Sequence, residues 1–252
     1  MGVHQTNSTL AKSLVGVHLF HFFMSNCSQR VRFALEEKGI EWTSHHLNLP
    51  AREHMTAEYR ELNPNGVVPT LVHDGTVIIE SNDIIAYIDG AFEGPHLSAQ
   101  SDRTAVQLEE LLMLSDEAQP AIKVLSHELL FKPVRKVTAD DVAAMGSEGA
   151  RPELVAFMRD FSEDGAAWQE RVAIAQQNMR GMLARLDACL GDAGSWLLGE
   201  QFGLADISWS VNALRLMQAR FDTSDWRAFE EWRDRVVARP AFVSAVTQYA
   251  PG

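Results

Sequence analysis

Cysteine is scarce in this chain of 252 residues, which contains only Cys27 and Cys189. Two cysteines supply no disulfide framework, and their small number favours a reducing compartment, so we expect a cytoplasmic protein. No run of about 18 uninterrupted apolar residues occurs, and a membrane-spanning helix is therefore not expected. The apolar stretch 14–24 is interrupted by His18 and His21. These histidines favour a buried strand over the core of a signal peptide.

Positive charge is also in short supply. Lysine and arginine number 22 against 34 aspartates and glutamates, which gives a formal net charge of −12. Such a chain is poorly suited to holding nucleic acid phosphates, so nucleic acid partners are not expected. With 46% hydrophobic and 22% charged residues, the composition is that of a globular protein large enough for two cores. Small molecules or other proteins are the expected partners.

Short strand-like and helix-like segments alternate along the N-terminal third. Residues 17–23 are β-branched and aromatic, and residues 27–38 place apolar side chains on one helical face before Gly39. A second strand is predicted at 42–49 and a second helix at 54–62. The chain therefore begins with two strand–helix units.

A hairpin and a third helix follow these units. Strands are predicted at 67–71 and 77–79 around Asp74-Gly75, a dipeptide that supplies the positive φ angles of a tight turn. The next helix is predicted at 81–92. The resulting order is β-α-β-α-β-β-α.

The domain organisation changes at a linker over residues 94–96. We predict an α/β domain over residues 15–93, preceded by a flexible leader over residues 1–14. Beyond the linker only helical periodicity is found, which predicts an all-helical domain over residues 94–252. Within it, residues 132–165 are charged and interrupted by turn formers, so an insertion or an extended helix pair with a mobile join is expected. The turn formers are Pro133, Gly146, Gly149 and Pro152.

Cys27 is the first candidate for chemistry, because it lies at the start of the helix predicted at 27–38, directly after a strand. Unpaired N–H groups and the positive end of a helix dipole both stabilise a thiolate there. The alternative is an inert, small apolar residue at a strand–helix junction. Cys189 lies inside a helical run and is expected to be structural.

Three other positions combine structural and functional interpretations. Ser25, just before the helix, is expected to cap it, and its hydroxyl could also donate to a bound thiolate. Pro69 precedes an apolar strand, which predicts a strand start or a cis bond that leaves the backbone of Val68 free for an extended peptide. Glu80 and Ser81, at the head of a helix, would either cap it or hold the headgroup of an α-amino acid.

Taken together, these patterns resemble the glutathione transferase superfamily. Residues 25–32 are similar to the Ser-Ser-Cys-Ser-x-Arg-Val-Arg signature of its zeta class, and residues 63–71 are similar to its cis-proline segment. Glu80 and Ser81 complete the match. The resemblance covers most of the chain and implies an α/β plus all-α fold, in which a thioredoxin-like domain precedes a helical one. It also implies glutathione as the co-substrate and no metal.

The resemblance assigns the candidate catalytic residues. Ser25 matches the serine that stabilises the thiolate in the zeta class. Cys27 matches the cysteine that resolves a glutathione adduct through a mixed disulfide in related tetrachlorohydroquinone dehalogenases. Asn26 replaces the second serine of the signature and keeps a polar donor. All three are therefore candidates.

The resemblance also assigns the candidate binding residues. Val68, held by Pro69, would pair its backbone with the cysteinyl part of glutathione, while Glu80 and Ser81 would hold the γ-glutamyl end. His54 resembles the basic residue that some classes place on the glycyl carboxylate. A solvated histidine at a helix start is the alternative.

Two features of the second domain bear on function and folding. The 132–165 segment is absent from typical zeta enzymes and is similar to the dehalogenase-like group and to bacterial enzymes that cleave β-aryl ethers of lignin-derived compounds. Residues 203–206 resemble the helix-capping box of the family, so Asp206 is expected to serve folding. A substrate-pocket role is considered for His127, Lys132 and Arg135, although charged residues on an inserted helix are usually solvated.

The expected function is attack of a glutathione thiolate on a hydrophobic aromatic substrate, with cleavage of β-aryl ethers as the specific version. Alternatives are a glutathione-dependent reductive dehalogenase, a maleylacetoacetate-type isomerase, and a non-catalytic subunit of a heterodimer. A homodimer or a heterodimer with a related subunit is expected.

Overall fold

A computed structural model describes residues 2–134, 136–147 and 150–250, with the backbone alone at 192–193. The first domain is a five-stranded sheet with helices packed on it. The strands lie in the order β1-β5-β4-β2-β3, and only the β2–β3 pair is parallel. Its elements are β1 (Val3–His4), α1 (Thr9–Ser13), β2 (Val17–His21), α2 (Asn26–Glu37), β3 (Thr43–His46), a 3-10 turn (Glu53–Met55), α3 (Ala57–Leu62), β4 (Thr70–His73), β5 (Thr76–Ile78) and α4 (Ser81–Ala91).

From β2 onward, this succession confirms the predicted order β-α-β-α-β-β-α. The hairpin between β4 and β5 turns at Asp74 and Gly75, whose φ angles are 47° and 80°. Two successive positive φ angles match the twist of the flanking strands, which explains why this dipeptide predicts the turn.

The prediction of a flexible leader is wrong for residues 3–13. Val3 pairs with Ile78 at the edge of the sheet, the Ser8 side chain caps α1, and Ala11 is fully buried. A two-residue edge strand carries no periodicity, so its sequence gives no sign of this pairing. The pairing covers an edge that β5 would otherwise expose.

The second domain is helical, as predicted, and its described residues include no strand beyond an isolated bridge between Trp196 and Gly199. Its helices are α5 (Asp102–Glu117), α6 (Gln119–Leu125), α7 (Ala139–Ser147), α8 (Pro152–Glu163), α9 (Ala166–Ala193), α10 (Leu204–Gln218), α11 (Arg227–Val237) and α12 (Pro240–Phe242). Single π-helical turns continue α6 at Ser126–Phe131 and α12 at Val243–Thr247. No helix in the described part of the chain is long and apolar enough to cross a membrane.

Helices α7 and α8 occupy the segment for which an inserted helix pair is expected. They pack against each other, and α8 also packs on α9. Lys132, at the start of this segment, contacts its end, because its Nζ lies 2.6 Å from Asp164 Oδ1. The same Nζ lies 3.0 Å from Glu128 Oε2 in the preceding π-helical turn. Gly149, where a mobile join is predicted, lies outside the described residues.

Helix α10 is buried along almost its whole length, and its N-terminus depends on Asp206. The Asp206 carboxylate is fully buried and accepts hydrogen bonds from Leu197 N (3.0 Å), Gly203 N (2.9 Å) and Trp232 Nε1 (2.7 Å). Burial raises the pKa of this carboxyl to about 6, against the opposite effect of its N–H donors. One carboxylate thus joins the start of α10 to α11 and to the preceding loop.

Replacing Asp206 with alanine should lower the free energy of unfolding by about 3 kcal/mol, because three buried N–H donors lose their acceptor. Urea unfolding followed by circular dichroism measures this difference. The matched control is Asp225→Ala, which removes an exposed carboxylate and should change the stability by less than about 0.5 kcal/mol. Equal stability of the two variants would contradict a capping role for Asp206.

Candidate active site

The strand register brings the predicted site segments to one edge of the sheet. Phe20 lies opposite Thr70, and Leu71 lies opposite Ile78. The residues that follow β2, precede β4 and follow β5 therefore meet at the same edge. These are the segments that contain Ser25–Cys27, Val68–Pro69 and Glu80–Ser81.

Ser25 caps α2, as expected for its position. Its backbone is extended (φ −71°, ψ 122°), and its Oγ accepts a hydrogen bond from Ser28 N at 3.3 Å. The cap uses the oxygen as an acceptor and leaves the hydroxyl proton free to be donated to another group. Ser25 is half-buried and lines a large cavity. Capping and donation to a ligand are therefore compatible here.

Asn26, the first residue of α2, also lines this cavity and is tied to the second domain. Its Oδ1 accepts from Arg215 Nε at 3.1 Å and from Arg215 Nη2 at 2.9 Å. Its Nδ2 is buried and has no partner among the described residues. An amide donor is thus held at the cavity without an acceptor.

Cys27 follows these two residues as the second residue of α2. Its half-buried Sγ lies 4.0 Å from Gln119 Oε1, at the start of α6, and it is not among the described residues that line the large cavity. Cys189 is on α9, away from the edge of the sheet. The side chains nearest to the cavity at the start of α2 are therefore Ser25 and Asn26.

The peptide bond between Val68 and Pro69 is cis, one of the two alternatives predicted for this proline. The preceding carbonyl, of Val67, accepts hydrogen bonds from Tyr59 Oη (2.5 Å) and Asn63 Nδ2 (3.0 Å). Val68 is itself buried, and its backbone N–H and C=O groups have no partner in the described part of the chain.

Glu80 and Ser81 stand at the N-terminus of α4, but in different environments. Glu80 is exposed, and Asn65 Nδ2 donates to its Oε1 at 3.3 Å. Its backbone has a φ of 65°, a positive value that residues other than glycine seldom adopt. Ser81 is buried, and Arg30 Nη1 donates to its Oγ at 2.9 Å. A non-glycine residue held at positive φ is a reason to look for a function of its side chain.

The large cavity, of about 700 Å³, lies between the start of α2 and the helical domain. Its wall is mainly apolar. The apolar lining residues are Phe22, Met24, Leu49, Pro50, Ile122, Phe131, Val134, Val137, Met158 and Phe161. The polar ones are Ser25, Asn26, Gln119, Lys123, Ser126, His127 and Arg215. A cavity of this kind suits a hydrophobic molecule with a few polar atoms.

A smaller cavity, of about 310 Å³, adjoins the large one and shares Leu49 and Pro50 with it. Arg52, His54 and Arg151 line it. The Nδ1 of His54 is buried without a partner among the described residues. Burial, followed by the charges of Arg52 and Arg151, lowers the pKa of His54. Three basic side chains thus converge on a place that would suit a carboxylate.

Several lining residues were not predicted from the sequence. The sequence does contain a signal for Arg215, because it is the single basic residue of the largely buried helix α10. It contains no such signal for Gln119. Of the three charged candidates considered, His127 lines the large cavity, Lys132 instead forms ion pairs with Glu128 and Asp164, and Arg135 lies outside the described residues. The described residues contain no cluster of three potential metal ligands.

Comparison with known proteins matches both domains to one family. The family model of the glutathione S-transferase N-terminal domain matches residues 24–91, and that of the C-terminal domain matches residues 166–235. Together the two matches cover more than half of the chain.

Individual proteins are similar over nearly the whole chain. A maleylacetoacetate isomerase from Pseudomonas aeruginosa is 27% identical over 90% of this chain and 94% of its own. A 2,5-dichlorohydroquinone reductive dechlorinase from Sphingobium indicum is 25% identical over 93% of this chain and 83% of its own. The crystal structure of the β-etherase LigF from Sphingobium sp. strain SYK-6 has a TM-score of 0.78 at 22% identity, covering 91% of this chain and 98% of that one. This last likeness shows the shared fold.

Replacing Arg151 with glutamine should raise the pKa of His54, because one of the two nearby positive charges that lower it is removed. A pH titration of the His54 Cε1–H resonance by NMR, assigned with His54→Gln, measures this change. Arg159→Gln, which removes an exposed charge from the same helix, is the control and should leave the titration unchanged. An identical His54 titration in both variants would show that Arg151 does not reach the smaller cavity.

Proposed function

The chain belongs to the glutathione S-transferase family, and from that premise we propose that it activates the thiol of glutathione for attack on a hydrophobic aromatic substrate. The observation that carries this proposal is the meeting of two different surfaces at the start of α2. A polar edge of the sheet lies on one side and a large apolar cavity on the other, with Ser25 and Asn26 between them.

Glutathione would lie along the polar edge as an extended peptide. The γ-glutamyl end would meet the N-terminus of α4, where Glu80 can accept from its ammonium and N–H groups can hold its carboxylate. The cysteinyl unit would pair with the free backbone of Val68. The glycyl carboxylate would enter the smaller cavity, where His54 and Arg151 supply donors and positive charge.

This placement directs the glutathione sulfur to the start of α2. The hydroxyl of Ser25 and the N–H groups of the helix would stabilise the thiolate over the thiol, and the thiol proton would leave to solvent. The thiolate would then attack an electrophilic carbon of a substrate in the large cavity. A carbon–sulfur bond forms, and the bond to a phenoxide or halide leaving group breaks with its electron pair.

Within this reaction class we favour cleavage of β-aryl ethers. The large cavity is lined by aromatic side chains from three parts of the chain: Phe22 of the first domain, Phe131 of the π-helical turn after α6, and Phe161 of the 132–165 segment. It is large enough for an aryl ether, and aromatic walls suit aromatic substrates. The fold shared with the β-etherase LigF is consistent with this choice.

A dimeric state and a cytoplasmic location stay predictions.

Reductive dehalogenation is the second candidate, because the chain retains Cys27 and is similar to a dichlorohydroquinone dechlorinase. In that reaction the Cys27 thiolate would attack the sulfur of a glutathionyl–aryl adduct. The aromatic carbon would leave with the electron pair and take up a proton, and a mixed disulfide between Cys27 and glutathione would remain. Cys27 is not among the described residues that line the large cavity, but its Sγ lies 4.0 Å from Oε1 of Gln119, which does line it.

The proposal is tested by measuring glutathione binding and product release. Calorimetry should show binding of reduced glutathione, and incubation with glutathione and a β-aryl ether should release a phenol and form a thioether. S-methylglutathione, which has no thiol to ionise, should bind without any release. If well-folded protein takes up no glutathione, the proposed function is wrong.

Substitutions at Ser25 and Cys27 separate the two reactions. For thiolate attack, Ser25→Ala should lower kcat/KM about a hundredfold through loss of one hydrogen-bond donor, while Cys27→Ser should have little effect. Ser25→Thr, which keeps both the cap and the hydroxyl, is the matched control. For reductive dehalogenation the order reverses, since Cys27→Ser would abolish turnover and mass spectrometry would find no mixed disulfide.

A further inference from the structure

Arg215 is a buried cation at the boundary between the two domains. It lies on α10 with only 7% of its surface exposed. Its Nε and Nη2 donate to Asn26 Oδ1 at 3.1 and 2.9 Å, and its Nη2 also donates to Met24 O at 2.9 Å. None of these partners carries a negative charge, and the described residues supply no ion pair to Arg215. A buried charge of this kind is costly unless an anion comes near it.

The guanidinium determines which way the Asn26 amide points. Arginine has only donors, so the atom of Asn26 that faces it must be the oxygen. The Nδ2 group is then turned away from Arg215 and is buried, with no acceptor in the described part of the chain. A buried donor with no acceptor costs about 1–3 kcal/mol. The arrangement is therefore one that a ligand acceptor would complete.

The position of this donor identifies the ligand atom. Asn26 lies next to Ser25 in the chain, and both line the large cavity at the start of α2. We propose that Arg215 fixes the side-chain amide of Asn26 so that Nδ2 donates a hydrogen bond to the glutathione sulfur, which makes Arg215 a positioning residue for thiolate formation. This inference rests on the proposed function and deepens it.

The physical advantage lies in preorganisation. An asparagine in solution can rotate its amide, and it would have to be ordered each time a thiolate forms. Two hydrogen bonds from Arg215 impose that order beforehand, and the positive charge on the oxygen side polarises the N–H groups toward the sulfur. Burial also lowers the pKa of the Arg215 guanidinium.

A double-mutant cycle on the full chain tests the inference. The thiolate absorbance of protein-bound glutathione, followed against pH, gives the apparent pKa of the bound thiol. Asn26→Ala and Arg215→Met should each raise this pKa by about 1. In the Asn26→Ala background, Arg215→Met should add almost nothing, because Arg215 acts through Asn26. If the two effects add, Arg215 acts directly on the sulfur and the inference is overturned.

Asn26→Asp keeps the experiment decisive if Arg215→Met does not fold. Aspartate preserves the shape and the acceptor oxygens for Arg215 but cannot donate, and its negative charge repels a thiolate, so the pKa of the bound thiol should rise by more than in Asn26→Ala. An unchanged pKa would overturn the inference. Arg227→Met, which removes an exposed arginine, is the control and should match the wild type.

Binding of S-methylglutathione should stay within about twofold in all these variants, since the tripeptide contacts lie elsewhere. A loss of that binding in Arg215→Met and Asn26→Asp alike would assign them a structural role and overturn the inference. If the wild type itself binds glutathione with an unperturbed thiol, thiolate activation fails as well. If the thiol pKa is lowered in the wild type and stays equally low in every variant, the inference about Arg215 and Asn26 is overturned while the proposed function stands.

Discussion

The buried guanidinium of Arg30 holds together the elements on which the site depends. Its side chain, fully removed from solvent, donates to Ser81 Oγ on α4 (2.9 Å) and to Ser115 Oγ (2.7 Å) and Asp116 Oδ1 (3.3 Å) on α5. A buried arginine is tolerated only where such partners surround it. Helix α2, which begins at the edge of the sheet where the predicted site segments meet, is therefore fixed both to the proposed γ-glutamyl site and to the helical domain.

Two further buried arginines lie close to the same edge, although the chain as a whole carries a net charge of −12. Arg215 reaches Asn26, and Arg32 donates to Phe23 O (3.1 Å) and Ala245 O (2.9 Å) while stacking on Tyr249. Burial lowers the pKa of Arg32 to about 10. Their partners are mostly neutral oxygens, so positive potential is concentrated where an anion is proposed to form.

The sequence predicts those features of the fold and of the candidate site that depend on residues close together in the chain. Ser25 caps a helix and Asp74-Gly75 turns a hairpin because each needs only its neighbours in the chain. The edge strand at Val3 and the contact between Arg215 and Asn26 depend on partners far away in sequence, 189 positions for the latter pair. A single sequence carries no signal for such contacts, so only the folded chain shows them.

Helix α8 explains how the 132–165 segment serves both cavities. Met158 and Phe161 line the large cavity, while Leu154 and the capping residue Arg151 line the smaller one. These positions are separated by three or four residues, so they form one stripe along the helix. Because one rigid element supplies both walls, a movement of α8 changes the proposed substrate and glycyl sites together. A single helix face therefore borders the places proposed for both ligands.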